Sequence, residues 1–241
     1  MGIKQIMYRQ LQKSQDKLLH QMLFDIDYAN QMGGHDLHAQ LLRWLDLEKH
    51  INILELGCGP GKYVGLLANV GFTVTGVDPL SFPTWGELKK RENIKLLPGV
   101  YAEKLPFDDD SFDAVVCLSA LLYFENPNVG LLEMKRVLKP GGLLIVRTVN
   151  SLNFYTAFTG NKLDPASKQL YSPEELLEFV SSHGFNVQHV FTHGFWPPVL
   201  TNFWWYLQCV WLPHWLQSFL SHLTPDSRRI NCTVIATKTL H

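Results

Sequence analysis

The chain has 241 residues, 46% hydrophobic and 18% charged, enough to bury one sizeable core without division into independent domains. A formal net charge of -1, with no long run of Lys or Arg, gives no general attraction for phosphate backbones, so nucleic acid is not an expected partner. Cys58, Cys117, Cys209 and Cys232 stand far apart, with no C-x-x-C pair and no Cys/His zinc spacing, which predicts reduced, mostly buried thiols and no metal site.

The N-terminus, Met1-Gly2-Ile3-Lys4-Gln5, lacks the apolar core of a secretory signal, and position 6 is Ile where myristoylation needs Ser or Thr. A cytoplasmic location is the expectation. Residues 1–35 read as an N-terminal cap segment of one domain running from 1 to 241. From Asp36, a candidate cap, Leu37, Leu41, Leu42, Trp44 and Leu45 recur at helical spacing and predict a helix over 36–47. Apolar runs then predict strands at 52–57, 73–78, 94–98, 112–118 and 142–149, with helices at 61–69, 83–91, 127–138 and 173–183. The last helix opens Ser172-Pro173-Glu174-Glu175, a cap with proline at the first helical position and acids in the first turn. Phe185 to Phe191 and Ile230 to Thr237 are two further strand candidates. This alternation predicts an α/β fold, a sheet with helices on both faces.

Ile53-Leu54-Glu55-Leu56-Gly57-Cys58-Gly59-Pro60-Gly61, followed by Val74-Thr75-Gly76-Val77-Asp78, is the most informative stretch. An apolar strand enters a glycine turn that opens a helix, and a second apolar strand ends in a carboxylate. α/β proteins hold adenosine-containing cofactors this way, with backbone N–H groups at the helix start and the acid on the ribose. The spacing, Glu55-x-Gly57-x-Gly59-x-Gly61, departs from the dinucleotide fingerprint G-x-G-x-x-G. An acid two positions before the first glycine repels a pyrophosphate and suits a cationic or ammonium-bearing ligand.

This pattern resembles motif I of the class I methyltransferases that use S-adenosylmethionine. Leu105-Pro106-Phe107, then Asp110-Ser111-Phe112-Asp113-Ala114-Val115-Val116, look like that family's loop and fourth strand. Val137-Leu138-Lys139-Pro140-Gly141-Gly142 looks like the turn before its fifth. The resemblance covers about residues 50 to 150. It implies a doubly wound, Rossmann-like, seven-stranded and mostly parallel sheet with an antiparallel C-terminal edge pair, and S-adenosylmethionine as cofactor. It also implies a site made from Glu55, Gly57, Cys58, Gly59, Gly61, Asp78, Pro79, Ala102, Glu103 and Leu118. Within Tyr101-Ala102-Glu103-Lys104-Leu105, Tyr101 stands where many relatives have an Asp that accepts from the adenine amino group. The bland reading of the glycines is a tight structural turn. Asp108-Asp109-Asp110 reads as a solvated turn and not a metal site. No clustered cysteine triplet supports an iron–sulfur cluster for radical chemistry.

Methyl transfer from a sulfonium asks chiefly for alignment and exclusion of water, so no fixed triad is expected and the catalytic residues stay unassigned. His35, His183, His193, His214, Tyr28 and Tyr123 fall in segments that can approach an acceptor; a lone histidine is more often a packing residue than a base. Residues 148–171 and 192–229 are long for simple connections. The second is an aromatic-rich insertion holding Trp196, Trp204, Trp205, Trp211 and Trp215, broken by Gln208, Pro213, His214 and Gln217 too soon for a spanning helix. It reads as a cap over an apolar acceptor pocket, a membrane-surface patch, or a contact in a homodimer. The expected activity is methyl transfer to a small apolar or lipid-like acceptor, at oxygen, by a cytoplasmic enzyme that is peripheral to a membrane if the patch reading holds. The alternatives are an NAD(P)-dependent oxidoreductase, which lacks its glycine spacing and any Tyr with a Lys four positions on, and a cofactor-binding protein without turnover.

Overall fold

The computed structural model of the chain describes residue 41 and residues 43–162, 164–194 and 223–240. Seven strands, β1 (Asn52–Leu56), β2 (Thr73–Asp78), β3 (Ile94–Pro98), β4 (Phe112–Leu118), β5 (Leu138–Val149), β6 (Phe185–His193) and β7 (Asn231–Lys238), form one sheet in the order β3-β2-β1-β4-β5-β7-β6. β3 to β5 are parallel throughout, and β7 enters antiparallel between β5 and β6. The helices are α1 (Lys62–Val70), α2 (Trp85–Leu88), α3 (Pro127–Val137), α4 (Phe154–Thr159) and α5 (Pro173–Ser182). A doubly wound sheet of the expected kind results.

Strands buried on both faces are apolar almost continuously, and their two-residue period divides them between two cores. Leu54 and Leu56 of β1, Val115 and Cys117 of β4, and Leu144 and Val146 of β5 pack with Leu131, Met134 and Val137 of α3 and Leu176 and Val180 of α5. Their strand neighbours Ile53, Ala114, Val116 and Ile145 pack on the opposite face with Val64 and Leu67 of α1 and with Trp85 and Leu88 of α2. Strand order reverses at β1, with β2 and β3 laid down on one side of it and β4 and β5 on the other; the crevice at the carboxyl ends of β1 and β4 is where such sheets bind ligands.

Local chemistry sets most boundaries. α3 begins with Asn126 accepting the Val129 N–H and with Pro127 at its first position. α5 begins with a reciprocal capping box between Ser172 and Glu175. α2 is shorter than the 83–91 expected, because the following turns bond to the third residue back, Lys90 N–H to Glu87 O and Arg91 N–H to Leu88 O. β5 starts at Leu138 rather than 142: Leu138 already pairs with Phe112, and Lys139 to Gly142 form a bulge before Leu143 meets Ala114. α4, capped by Asn153, lies in a stretch read as a loop. Of the helix expected over 36–47, residues 41, 43 and 44 are helical and the chain has left the helix by Leu45; 36–40 lie outside the described residues.

Asp108, Asp109 and Asp110 form an exposed turn, as expected, and two of them also make surface ion pairs. Asp109 pairs with Arg136 at 2.8 Å and Asp110 with Lys238 at 2.6 Å. Arg136 also donates to the carbonyls of Phe107 and Leu105, while Glu133 accepts the Leu105 N–H, so α3 fixes the loop that leads into β4.

Candidate functional site

β1 ends in the glycine turn, and its close fit to β4 depends on a missing side chain. Gly57 has φ +65, and a Cβ there would stand 2.3 Å from the Ala120 Cβ. Gly59, at φ +51, meets nothing within 4 Å of such a Cβ, so its bare backbone faces open space where a ligand can approach. The turn is clamped from outside: Trp85 Nε1 donates to Gly59 O at 2.8 Å and Thr84 Oγ1 to Pro60 O at 2.6 Å. Asp78, the last residue of β2, accepts the Gly59 N–H on one oxygen and the Leu80 N–H on the other, each at 2.9 Å. Opposite, Ser119 leaves β4 at φ 59, a conformation costly without glycine, and this turns Ala120 onto Gly57.

These elements enclose a cavity of about 470 Å³, within the range of small-molecule sites. Much of its wall is apolar, from Leu56, Val77, Leu80, Phe82, Val100 and Phe124. Its charged groups are Asp78, Glu103, Glu125 and Lys168, and Lys168 is already paired with Glu125. Among the described residues this pairing leaves two carboxylates, Asp78 and Glu103, without a cationic partner at the cavity, which favours a cationic ligand and opposes a pyrophosphate.

Of the residues expected at the site, Gly57, Gly59, Asp78, Pro79, Ala102 and Glu103 line this cavity. The others stand behind it. Gly61 is the N-cap of α1. Cys58 is buried against Gly76, and burial raises its thiol pKa. Leu118 points into the core on the α1 side. Glu55, 2% exposed, sits under the start of α1; burial pushes its carboxyl up to about 8 against the pull of the Val64 N–H, and one oxygen has no partner. Tyr101 lines the cavity at the position of the missing Asp, 58% exposed. Phe82, Val100, Phe124, Glu125 and Lys168 also line it but carry no sequence signal beyond lying after strands; only the topology brings Lys168 there.

Among the candidate bases, Tyr123 borders the cavity and donates to Asp164. Burial and that partner push its hydroxyl up to about 12, so it is a proton donor at neutral pH. His183, at the end of α5, bonds Phe179 O at 2.8 Å next to the start of β6, the edge of the sheet away from the cavity, and so does not approach it. His193 ends β6 half-buried, with both ring nitrogens out of contact with solvent; desolvation, then Arg147 and Arg229, push its ring down to about 3. Tyr28, His35, His214, the 1–35 cap and the aromatic part of the 192–229 insertion lie outside the described residues, while Thr192 and His193 belong to β6. Among the described residues no helix is long and apolar enough to cross a membrane.

Residues 54–146 match the methyltransferase domain. The chain is 29% identical over 150 residues to the sterol 4-C-methyltransferase of Caenorhabditis elegans, covering 59% of this chain and 42% of that protein. It is 29% identical over 126 residues to the ubiquinone biosynthesis O-methyltransferase of Pseudomonas fluorescens, covering 48% and 53%. The chain thus spans about half the length of the curated relatives it matches. Among solved structures, the 1,6-didemethyltoxoflavin-N1-methyltransferase of Burkholderia thailandensis, with 1,6-didemethyltoxoflavin and S-adenosylhomocysteine bound, superposes with a TM-score of 0.60 over 99% of this chain and 92% of that one, at 15% identity. At that identity the likeness is one of fold.

Proposed function

Because this chain belongs to the class I S-adenosylmethionine-dependent methyltransferase family, we propose that it binds S-adenosylmethionine in the cavity between β1, β2 and β4. We propose further that it transfers the methyl group to a small apolar or lipid-like acceptor, at oxygen. The observation that carries this reading is the carboxylate of Asp78 turned onto the Gly59 amide in a cavity where, among the described residues, the one amine is paired. Asp78 would hold the ribose hydroxyls with its remaining lone pairs. The open face of Gly59 would take the methionine part, and Tyr101 and Ala102 the adenine. The bound cofactor supplies an activated methyl on a sulfonium with a neutral leaving group; the chain's task is to align the acceptor and exclude water.

The relatives act, by their names, on a sterol carbon and a ubiquinone oxygen, and the structural neighbour on a nitrogen. Their shared core therefore does not choose the atom, and oxygen rests on the ubiquinone relative. A dinucleotide-dependent oxidoreductase is disfavoured by the acidic lining, since a pyrophosphate would meet Asp78 and Glu103 while Lys168 is paired with Glu125. A cytoplasmic enzyme touching a membrane surface through the aromatic insertion fits a lipid-like acceptor. The test is direct. S-adenosylhomocysteine at about a hundred times its Kd should stabilise the fold by about 2.7 kcal/mol, roughly 5–10 °C in Tm, and label from tritiated S-adenosylmethionine should pass to apolar phenols or quinols. No thermal shift at millimolar ligand overturns the cofactor reading; a shift without turnover across oxygen, nitrogen and carbon acceptors favours a binding protein instead.

A further inference from the structure

Beside the cavity, the ladders set several polar side chains on one face at the carboxyl end of β5 and its neighbours. Arg147 lies directly opposite Thr233, Thr233 opposite Phe191, and His193 follows two residues along β6; residues opposed across an antiparallel ladder share a face, as do those two apart on one strand. Tyr63, in the first turn of α1, stands next to the Arg147 guanidinium. Ser119, which lines the cavity, donates its N–H to Arg147 O at 2.8 Å, and Leu118 pairs with Arg147 across the β4–β5 ladder. With strands about 4.8 Å apart, the cluster is within the span of a small molecule that begins at the cavity.

The fold leaves part of this polarity unpaired. Arg147 Nε, both ring nitrogens of His193 and Thr233 Oγ1 are buried without a hydrogen-bond partner among the described residues, an arrangement that native structures rarely tolerate without a reason. Buried guanidinium groups ordinarily face a carboxylate. Among the described residues, Arg147 is hydrogen-bonded to Tyr63 and has Cys232 nearby, and no carboxylate acts on it. Asp226, the acid near this edge, is held by Arg229 at 2.7 Å. Buried Glu55 shares the face but lies two strands away and is not among the groups acting on Arg147. His193, neutral at pH 7, offers one N–H and one lone pair. Phe191, Ile235 and Leu118 make the surroundings apolar.

We propose that Arg147, His193 and Thr233 form a subsite for a carboxylate carried by an otherwise apolar acceptor. The guanidinium fork matches the two oxygens of a carboxylate, and His193 and Thr233 add hydrogen bonds from the sides. Naming the occupant an acceptor rests on the methyltransferase reading; the binding itself does not.

The experiment is calorimetric titration of the full chain, with and without saturating S-adenosylhomocysteine, with decanoate and 4-hydroxybenzoate against their methyl esters. At least one acid should bind at least tenfold more tightly than its ester. Arg147→Gln should abolish that preference, Arg147→Lys should keep part of it, and S-adenosylhomocysteine affinity should be unchanged in both. His193→Asn, which leaves the guanidinium in place, should reduce the preference and stands in if Arg147→Gln fails to fold. No preference for either acid, or a preference that survives both Arg147→Gln and His193→Asn, overturns the subsite. An acid preference in a chain that does not bind S-adenosylhomocysteine keeps the subsite and overturns the methyltransferase reading.

Discussion

The carboxylate of Asp78 reaches back to the N–H of Gly59, a residue 19 positions earlier in the chain, at 2.9 Å. With its second oxygen on Leu80 N–H, it joins the end of β2 to the turn after β1 and keeps lone pairs free toward the cavity. One side chain thus shapes the glycine turn and presents charge to a ligand.

Replacing Asp78 by Asn keeps the shape but removes the charge and puts an amide N–H against one of the two backbone donors. Affinity for S-adenosylhomocysteine should fall about 10- to 100-fold, the loss of a charged hydrogen-bond acceptor, with circular dichroism unchanged. Titration calorimetry reads this directly. Wild-type affinity in the variant would mean that the ribose is held elsewhere.

Gly57 and Gly59 should separate folding from binding. Gly57→Ala places a Cβ 2.3 Å from that of Ala120, and both neighbours are backbone-anchored, so overpacking of about 1–3 kcal/mol adds to the left-handed strain of about 1–2 kcal/mol. Gly59→Ala meets open space and carries the strain alone, yet its methyl occupies the face where a cofactor would lie. Urea unfolding should therefore rank Gly57→Ala as the less stable variant, whereas cofactor affinity per folded molecule should fall in Gly59→Ala. Equal affinity in Gly59→Ala and wild type would show that no ligand approaches that backbone.

The parallel half of the sheet was legible because its strands are buried on both faces and so read as unbroken apolar runs between turn residues: β2, β3 and β4 fall on the boundaries expected from composition alone. α2 was overextended because helix propensity says nothing of where Trp85 must stop to clamp Gly59. α4 was missed for want of a buried face; none of its residues is buried. At the site, the glycines and Asp78 have a local pattern, but Lys168 arrives through the fold alone, and the left-handed Ser119 has no marker in its residue type. For Glu55, the expectation is a place near the methionine part, orienting loops or reaching the ammonium through water; the strand period sets it on the α1 side, under the start of that helix.

Glu55 predicts a pH-dependent stability. Burial first, and the Asp78 charge to a lesser degree, lift its carboxyl from 4.5 to about 8, although the Val64 N–H pulls the other way. The folded chain therefore keeps a proton that the unfolded chain releases above about pH 4.5, so this group's contribution is complete below that value and is lost as pH rises through about 8. Glu55→Gln has no such proton. Its unfolding free energy relative to wild type should rise from pH 5 to pH 8, by on the order of a few kcal/mol. Parallel stability curves for the two proteins would show that Glu55 is ionised in the fold.

Tyr123 tests whether a base at the cavity is needed. Its hydroxyl donates to Asp164 and is pushed up to about 12, by burial and then by that acid, so near neutral pH it cannot take a proton from an acceptor. Removing a true general base costs about 10²–10⁴-fold in rate. Tyr123→Phe should stay well short of a ~100-fold loss, keep S-adenosylhomocysteine affinity, and leave the shape of the pH–rate profile unchanged, because only hydrogen bonding to Asp164 is lost. A loss beyond that range, together with disappearance of a basic limb from the profile, would make Tyr123 a participant in proton transfer.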